Sequence, residues 1–140
     1  MTDAPVSLHH LVFCVPPEKQ ETAADFWRAL GIEFEEIVLP ALDLRVLLAW
    51  EPGIEIISPT PGAGPAAAAF TTFLADYGEG VYSAVVRVPD MEAALAAATE
   101  QGATVVYRNQ MVSEGHDLDE AMLAPLHGMP VTFLQTTRPG

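Results

Sequence analysis

The chain of 140 residues has one cysteine, only six Lys and Arg side chains, and no long apolar run. With Cys14 alone, no intramolecular disulfide can form, which excludes a disulfide-built scaffold and suits a reducing cytoplasm. No segment approaches the roughly 18 to 20 apolar residues that a membrane-spanning helix needs. The segment Met1–Pro5 has neither a basic start nor an apolar core, which argues against a cleaved signal. The sequence therefore predicts a cytoplasmic protein without a membrane partner.

Basic residues are scarce relative to acidic ones. Nineteen Asp and Glu side chains against six Lys and Arg leave a formal net charge of −13. A field of this sign repels phosphate backbones and anionic lipid headgroups, which argues against nucleic acid and acidic membranes as partners. The same field would attract a cationic small molecule, but acidity also serves solubility alone.

Hydrophobic residues make up half of the chain, and their arrangement is repeated. The Pro- and Gly-rich stretch 59–65 disfavours both helix and strand and falls near the middle of the chain. On each side of it, an apolar run that ends at proline is followed by a predicted helix, a glycine and extended segments. The apolar runs are Leu11–Pro16 and Ala84–Pro89, the helices 18–30 and 90–101, and the glycines Gly31 and Gly102.

The helices are predicted from apolar spacing and from capping residues. In the first helix, residues at i, i+3, i+4 and i+7 predict one buried face. Asp90 is the predicted N-cap of the second-half helix, and each glycine is a predicted left-handed stop. The face of the first helix is Ala23, Phe26, Trp27 and Leu30; a further helix is predicted at 66–77 and strands at 32–39, 44–50, 54–57, 103–107 and 129–135.

Each half is too small to close a core alone, so two copies are expected to pack together. The predicted fold class is α+β, with two strand-helix-strands modules that form a curved mixed sheet around a cavity. We expect one domain over residues 1–140, made of repeats at about 8–58 and 81–136.

This repeated order resembles the vicinal oxygen chelate superfamily, which includes glyoxalase I, methylmalonyl-CoA epimerase, extradiol dioxygenases and bleomycin-resistance proteins. The resemblance covers residues 8–136 and is closest to the epimerases. It implies a glyoxalase-like fold, a small-molecule substrate or ligand, and a homodimer. The stretches that carry it are Leu8–Pro16, Ile54–Pro59 and Phe73–Val81.

In metal-dependent members of the superfamily, each half supplies one ligand from an early strand and one from a late strand. The resemblance maps the early positions to His10 and Ser83 and the late positions to Glu55 and Thr132. Hydroxyls are weak ligands beside imidazole and carboxylate, and two strong ligands seldom hold a catalytic metal. We therefore expect no cofactor, unless a divalent metal binds at His10 and Glu55 with help from His116 in the loop 113–117.

The epimerases carry a catalytic carboxylate directly after a proline, ahead of their third strand. Here Pro40 is followed by Ala41 and Leu42, and Asp43 is offset from that position. Since Ala41 supplies no base, the resemblance does not extend to methylmalonyl-CoA epimerisation itself.

His10 and Glu55 are the candidate catalytic pair, because a neutral imidazole beside a carboxylate is an oriented general base. The structural alternatives are a packed strand histidine and a carboxylate on an exposed edge strand. Cys14 shares strand parity with His10 and is expected to be an inert buried thiol. The candidate substrate-binding residues are Ser83, Arg87, Thr132 and His116.

Arg87 has two interpretations that the sequence leaves open. It shares strand parity with Ser83, so on a cavity-facing side it would grip a carboxylate, phosphate or enolate oxygen. Otherwise it would pair with Glu55 and only stabilise the sheet.

Three functions remain in competition, and the sequence favours the first. It is an isomerase, epimerase or cyclase acting on a small carbonyl compound or thioester, with His10 and Glu55 moving a proton. The alternative is a non-catalytic drug-binding or resistance protein with a cationic ligand between aromatic walls. The third is a metal-dependent lyase or dioxygenase. The candidate aromatic walls are Trp50, Tyr82 and Tyr107.

Overall fold

The computed structural model describes residues 6–113 and 115–138. Residues 1–5, on which the expectation of no cleaved signal rests, lie outside the described residues, as does Glu114 of the segment 113–117. Across the part of the chain that is described, no helix combines the length and the apolar character needed to cross a membrane.

The chain divides into two compact units, one formed by His10–Tyr82 and the other by the described residues from Ser83 onward with the start of the first strand. Each unit follows the order strand, helix, three strands, so the predicted repeat and the α+β class are confirmed. The first series is β1 (Ser7–Cys14), α1 (Gln20–Arg28), β2 (Glu35–Leu39), β3 (Leu44–Ala49) and β4 (Ile54–Pro59), followed by α2 (Ala68–Tyr77). The second is β5 (Gly80–Arg87), α3 (Met91–Glu100), β6 (Val105–Ser113), β7 (His116–Leu123) and β8 (Val131–Thr136).

The two units share one strand arrangement. In the first, the strand order is β2-β3-β4-β1, with β1 and β4 parallel and the other pairs antiparallel. In the second, the order is β5-β8-β7-β6, with β5 and β8 parallel and the other pairs antiparallel. Within its unit, β4 therefore has a neighbour on each side, and so does β8.

Helix α1 buries a different face from the one that its large apolar residues predict. Gln20 and Ala24 are fully buried, and Trp27 is half-buried. Phe26 and Leu30 are 64% and 68% exposed, so the predicted face is wrong for these two residues. The small Ala24 lets the helix approach the core formed by the sheet, which a row of large side chains would prevent.

Gln20 is buried because its amide joins α1 to two strands. Its Nε2 donates to the backbone oxygens of Arg45 on β3, at 2.8 Å, and of Ile56 on β4, at 3.0 Å. Its Oε1 accepts from Nη1 of Arg45 at 3.1 Å. A buried amide is tolerated when its polar atoms have partners, as they do here.

The predicted helices are present in both units, although α1 (Gln20–Arg28) is shorter than the predicted 18–30. The side chain of Asp90 accepts a hydrogen bond from the backbone N–H of Ala93 at 3.1 Å and caps α3. Gly31 and Gly102 have φ angles of 94° and 97°, a region that favours glycine. Gly31 follows the end of α1 by three residues and Gly102 follows the end of α3 by two, each in the left-handed conformation that the sequence predicts.

The second unit contains a strand that the sequence does not predict. The expected loop at 113–117 and the expected strand end at 107 are wrong, since β6 runs to Ser113 and β7 begins at His116. Asp and Glu are disfavoured in strands, so strand propensity does not predict β7, which is rich in these residues. Cross-strand contacts offset this preference, since Arg108 on β6 donates to both carboxylate oxygens of Asp119 on β7, at 2.8 and 2.7 Å.

Replacing Arg108 with glutamine is expected to lower the free energy of unfolding at neutral pH, because Asp119 loses both hydrogen bonds from the guanidinium group. Hydrogen bonds from Arg108 hold the pKa of Asp119 below its ordinary value. A lowered folded-state pKa stabilises the fold above the carboxyl's unfolded pKa, and this stabilisation is lost as the pH falls through the folded value. In urea unfolding, the difference in the free energy of unfolding between the wild type and Arg108→Gln should therefore narrow as the pH falls from neutral to about 3.

The exposed pair of Lys19 and Glu79 is the matched control for that experiment. Replacing Lys19 with glutamine should change the free energy of unfolding by less than about 0.5 kcal/mol. A difference between the wild type and Arg108→Gln that stays constant or widens in acid would contradict the assignment.

Candidate functional site

The candidate catalytic pair is assembled within the first unit. His10 on β1 and Glu55 on β4 face the same side of adjacent parallel strands, because Val12, two residues after His10, lies beside Glu55. Nε2 of His10 is 3.3 Å from Oε1 of Glu55. The side chains are 6% and 18% exposed. Since β4 lies between β3 and β1, Glu55 is not on an edge strand, and that structural alternative is wrong.

An aromatic ring packs against the imidazole. Trp50 follows β3 and makes an edge-to-face contact with His10, with ring centroids 6.0 Å apart and an interplanar angle of 73°. Trp50 therefore contacts the candidate catalytic pair directly and limits the orientations open to the imidazole ring.

Cys14 lies on the same face of β1 as His10 but differs from it chemically. Its side chain is fully buried, and burial raises the pKa of the thiol to about 12. A thiol with this pKa carries almost no thiolate at neutral pH, so it is a poor nucleophile and a poor ligand. The predicted inert, buried thiol is confirmed.

The second unit repeats the same geometry with different chemistry. Val85, two residues after Ser83, lies beside Thr132 in the parallel pairing of β5 and β8. The hydroxyls of Ser83 and Thr132 are buried and 2.7 Å apart, within hydrogen-bond distance. The two positions therefore occupy the places that His10 and Glu55 hold in their own unit, as the mapping from the resemblance predicts.

The hydroxyl pair of the second unit does not fit a divalent metal ion. The Ser83 and Thr132 hydroxyls are neutral and already hydrogen-bonded to each other. In the described part of the chain, no three or more His, Cys, Asp and Glu side chains form a group that could hold a metal.

Arg87 lies at the end of β5, two strand positions beyond Val85. Its Nη2 donates to the backbone oxygen of Thr136 on β8 at 3.1 Å, and its side chain lines a cavity of about 650 Å³ in the second unit. Arg87 therefore lies on the wall of this cavity, and its predicted grip on a ligand oxygen stays a prediction.

The structure does not bring His116 to the hydroxyl pair. His116 is the first residue of β7, six positions from Met122, which lies beside Thr132. At about 3.3 Å per residue, this separation is roughly 20 Å along the strand. His116 is therefore not placed where it could help Thr132 to bind a ligand.

Glu120 is a polar residue of this face that the sequence interpretation does not identify. On β7, Glu120 lies beside Leu134 of β8, and Leu134 lies beside Arg87 of β5. Glu120 and Arg87 therefore face the same side of the sheet, separated by one strand. Glu120 can be identified from the sequence only if β7 is predicted as a strand. The acidic composition of β7 prevents that prediction, because Asp and Glu are disfavoured in strands.

Near the position of the epimerases' carboxylate, Asp43 has a structural role. Its Oδ2 accepts a hydrogen bond from the backbone N–H of Gly64 at 3.1 Å, and its backbone oxygen accepts one from Thr60 at 2.8 Å. Asp43 adopts a left-handed conformation, with φ of 51°. It therefore ties two loops together, and Ala41 beside it remains without an acid–base group.

The other candidate aromatic walls have different surroundings. Tyr82 stacks on Phe70 of α2, with centroids 4.6 Å apart, and makes an edge contact with Phe73. Burial raises the pKa of the Tyr82 phenol. Tyr107 on β6 is largely exposed. Tyr82 therefore packs against its own unit's helix.

Comparisons with known proteins agree with this architecture. The model of the Glyoxalase/Bleomycin resistance protein/Dioxygenase superfamily matches residues 9–122. The chain therefore belongs to that superfamily, as the sequence resemblance indicates. No curated protein matches significantly by sequence.

Similar solved structures share the fold at low sequence identity. A hypothetical protein from Bacillus halodurans is 18% identical, with a TM-score of 0.73 over 98% of this chain and 99% of that chain. A methylmalonyl-CoA epimerase from Streptomyces coelicolor, in complex with 2-nitronate-propionyl-CoA, is 20% identical, with a TM-score of 0.71 over 94% and 98%. A variant of 4-hydroxymandelate synthase from Streptomyces coelicolor is 14% identical, with a TM-score of 0.76 over 96% of this chain and 50% of that chain. These likenesses establish the glyoxalase-like fold and leave the reaction open.

Proposed function

We propose that the chain is an isomerase- or epimerase-type enzyme that moves a proton on a small carbonyl compound or thioester. The observation that carries this proposal is the His10–Glu55 contact of 3.3 Å, held on two adjacent strands and largely removed from solvent. A carboxylate held this way beside an imidazole orients a general base.

The proposed mechanism gives each side chain a separate task. The Glu55 carboxylate lies beside the imidazole of His10 and orients it as the base. The imidazole removes the acidic proton next to the carbonyl group, and the electron pair moves onto the carbonyl oxygen to form an enolate. The imidazolium, stabilised by Glu55, then delivers the proton to a different carbon of the delocalised anion, or to the opposite face of the same carbon after the enolate has turned over. Either step gives the isomer. The Trp50 ring restricts the imidazole throughout.

For the hydroxyl pair, we propose binding to a ligand oxygen. Ser83 and Thr132 have two hydroxyl hydrogens, and their mutual hydrogen bond uses one of them. The other remains to donate to an oxygen atom of a ligand.

Proton exchange in D2O tests the proposed activity and does not require the product to be identified. The chain is incubated with a panel of small ketones, 2-oxo acids and acyl thioesters, and NMR follows the loss of the α-proton signal. The CoA ester bound by the Streptomyces epimerase is the reason for including thioesters. Exchange above the buffer rate for one panel member is expected. If no member exchanges while a cationic glycopeptide binds tightly, the drug-binding alternative is supported instead.

We further propose that this activity needs no resident metal, because two of the four mapped positions are hydroxyls that bind each other. Dialysis against a strong chelator should leave the exchange rate within about twofold, since a metal-dependent site would lose its Lewis acid. Elemental analysis of the purified protein should find far less than one divalent ion per chain. Loss of exchange on chelation and its return with one added metal ion would overturn this proposal.

The assembly and location that we propose are a homodimer in the cytoplasm. The dimer rests on the resemblance to the superfamily, and the location on a single cysteine that is buried and reduced. Sedimentation equilibrium of the purified chain tests the dimer, and a monomer at micromolar concentrations would contradict it.

A further inference from the structure

Strand β6 is the outer strand of the second unit, and much of its apolar surface is uncovered. Among the described residues, it pairs with β7 on one side and with no strand on the other. A long apolar edge of this kind presents unpaired backbone groups and is a template for another strand. Its exposed large apolar side chains are Val106, Tyr107, Met111 and Val112.

The outer strand of the first unit is protected against such pairing, and β6 is not. β2 has only five residues, carries the exposed carboxylates of Glu35 and Glu36, and is followed by Pro40. Short length, charge and proline are features that keep sheet edges apart. β6 has nine residues, and no Asp, Glu or Pro occurs from 101 to 113. None of the nineteen acidic side chains of the chain lies on this strand.

Charge indicates a second copy of this chain as the occupant of the edge. Copies with a net charge of −13 repel each other, so they approach most easily through a strand without carboxylates. Arg108, the one charged residue of β6, is bound by Asp119 and Glu92 of its own chain. It therefore offers little attraction to an acidic partner, and an apolar strand of the same kind fits this edge better.

The order of side chains along β6 is complementary to itself about Asn109. Two copies related by a two-fold axis at Asn109 pair antiparallel and place Tyr107 beside Met111 of the second copy. The two Asn109 amides then meet, and an amide has both donors and an acceptor for its counterpart. Outward from Asn109, the residues in both directions are polar, apolar and apolar: Arg108, Tyr107, Val106 and Gln110, Met111, Val112.

The neighbouring registers are less favourable. An axis at Arg108 would place two guanidinium groups directly opposite each other, and like charges in that position are destabilising. An axis at Gln110 would place the apolar Val112 beside Arg108 of the second copy. The segment from Tyr107 to the end of β6 pairs with β7 without a register shift, so this part of the edge is regular.

We propose that β6 is the dimer contact of this chain, with two copies paired antiparallel about a two-fold axis at Asn109. This inference rests on the homodimer proposed above, for which it names the surface and the register, and it is independent of the proposed proton transfer. Tyr107 and Met111 lie on one face of β6, so each covers the other across the axis.

Disulfide cross-linking tests the register, because the natural Cys14 is fully buried and gives no background. Residues directly opposite in an antiparallel pair have Cα atoms about 4.5–5.5 Å apart, within the range of a disulfide. Asn109→Cys should therefore form a disulfide-linked dimer under mild oxidation, seen by non-reducing electrophoresis. Val38→Cys, at an exposed position of the β2 edge, is the control and should not cross-link.

A mixed experiment is specific for the proposed pairing. Tyr107→Cys and Met111→Cys should each remain uncross-linked alone, since each cysteine would lie beside a residue other than cysteine. The two proteins should cross-link when they are mixed and allowed to exchange subunits. This pair of exposed positions keeps the register testable if Asn109→Cys fails to fold.

A charged substitution tests the surface by sedimentation equilibrium. Met111→Glu should raise the dissociation constant of the dimer at least about tenfold, because it places a carboxylate in the contact. The matched control is Leu30→Glu, which adds the same charge at an exposed apolar position just after α1 and should leave the constant unchanged.

The outcomes separate this contact from the homodimer itself. A wild-type monomer would overturn both. A dimer that Leu30→Glu dissociates and Met111→Glu does not would overturn the contact alone, as would a dimer in which neither Asn109→Cys nor the mixed pair cross-links. Cross-linking of Tyr107→Cys by itself would overturn the axis at Asn109.

Discussion

Replacing His10 with alanine is expected to lower the rate of α-proton exchange by about 10²–10⁴-fold, the usual contribution of a positioned general base. The loss should appear in kcat, because the imidazole acts on the reacting proton. Exchange into D2O measures it on the panel member that the wild type turns over. Added imidazole should restore part of the rate if the space left by the side chain admits it.

Glu55→Gln separates the charge of the partner from its shape. Glutamine keeps the size of the side chain at 3.3 Å from Nε2 but removes the negative charge that stabilises the imidazolium. We expect a rate between those of the wild type and His10→Ala.

The matched control is His127→Asn, which changes an exposed histidine in a left-handed turn. Asparagine tolerates that conformation, so both the fold and the exchange rate should be unchanged. Equal exchange rates in His10→Ala and the wild type, with both proteins folded by circular dichroism, would remove His10 from the mechanism.

The position of the candidate pair follows from the repeat, which the sequence does show. An apolar run, proline, helix and glycine recur in both halves, and this order fixes which strands are parallel neighbours. The observed registers, Val12 beside Glu55 and Val85 beside Thr132, occupy equivalent places. A repeated topology repeats its register, so equivalent positions in the two halves can be found without coordinates.

Other features depend on contacts that are distant in sequence and leave no local pattern. That Glu55 lies on an inner strand is decided by which strands flank β4, and the residues of β4 alone do not contain this information. The strand β7 escapes prediction because its acidic residues disfavour strands locally, while the compensating partner Arg108 lies on β6. Local propensity yields to tertiary contacts in such cases.

The buried face of α1 shows the same limit and leads to the largest expected effect on stability. Apolar spacing favours Phe26 and Leu30, but the side chain that contacts the sheet is Gln20, whose amide binds the backbone oxygens of Arg45 and Ile56. A scale of hydrophobicity places glutamine outside the core. Its burial becomes favourable only because two strand carbonyls need a donor at that point.

Replacing Gln20 with leucine is therefore expected to lower the free energy of unfolding by about 2–4 kcal/mol, measured by urea unfolding. Leucine fills nearly the same volume, so the loss would come from carbonyl groups left without a donor and not from a cavity. The control is Glu18→Leu, on the exposed turn before α1, which should change the value by less than about 0.5 kcal/mol. If Gln20→Leu is as stable as the wild type, the amide contributes nothing, and hydrophobic spacing alone would account for how α1 packs. Because Ile56 directly follows Glu55, a large loss would also identify this amide as a support of the strand that carries the candidate catalytic carboxylate.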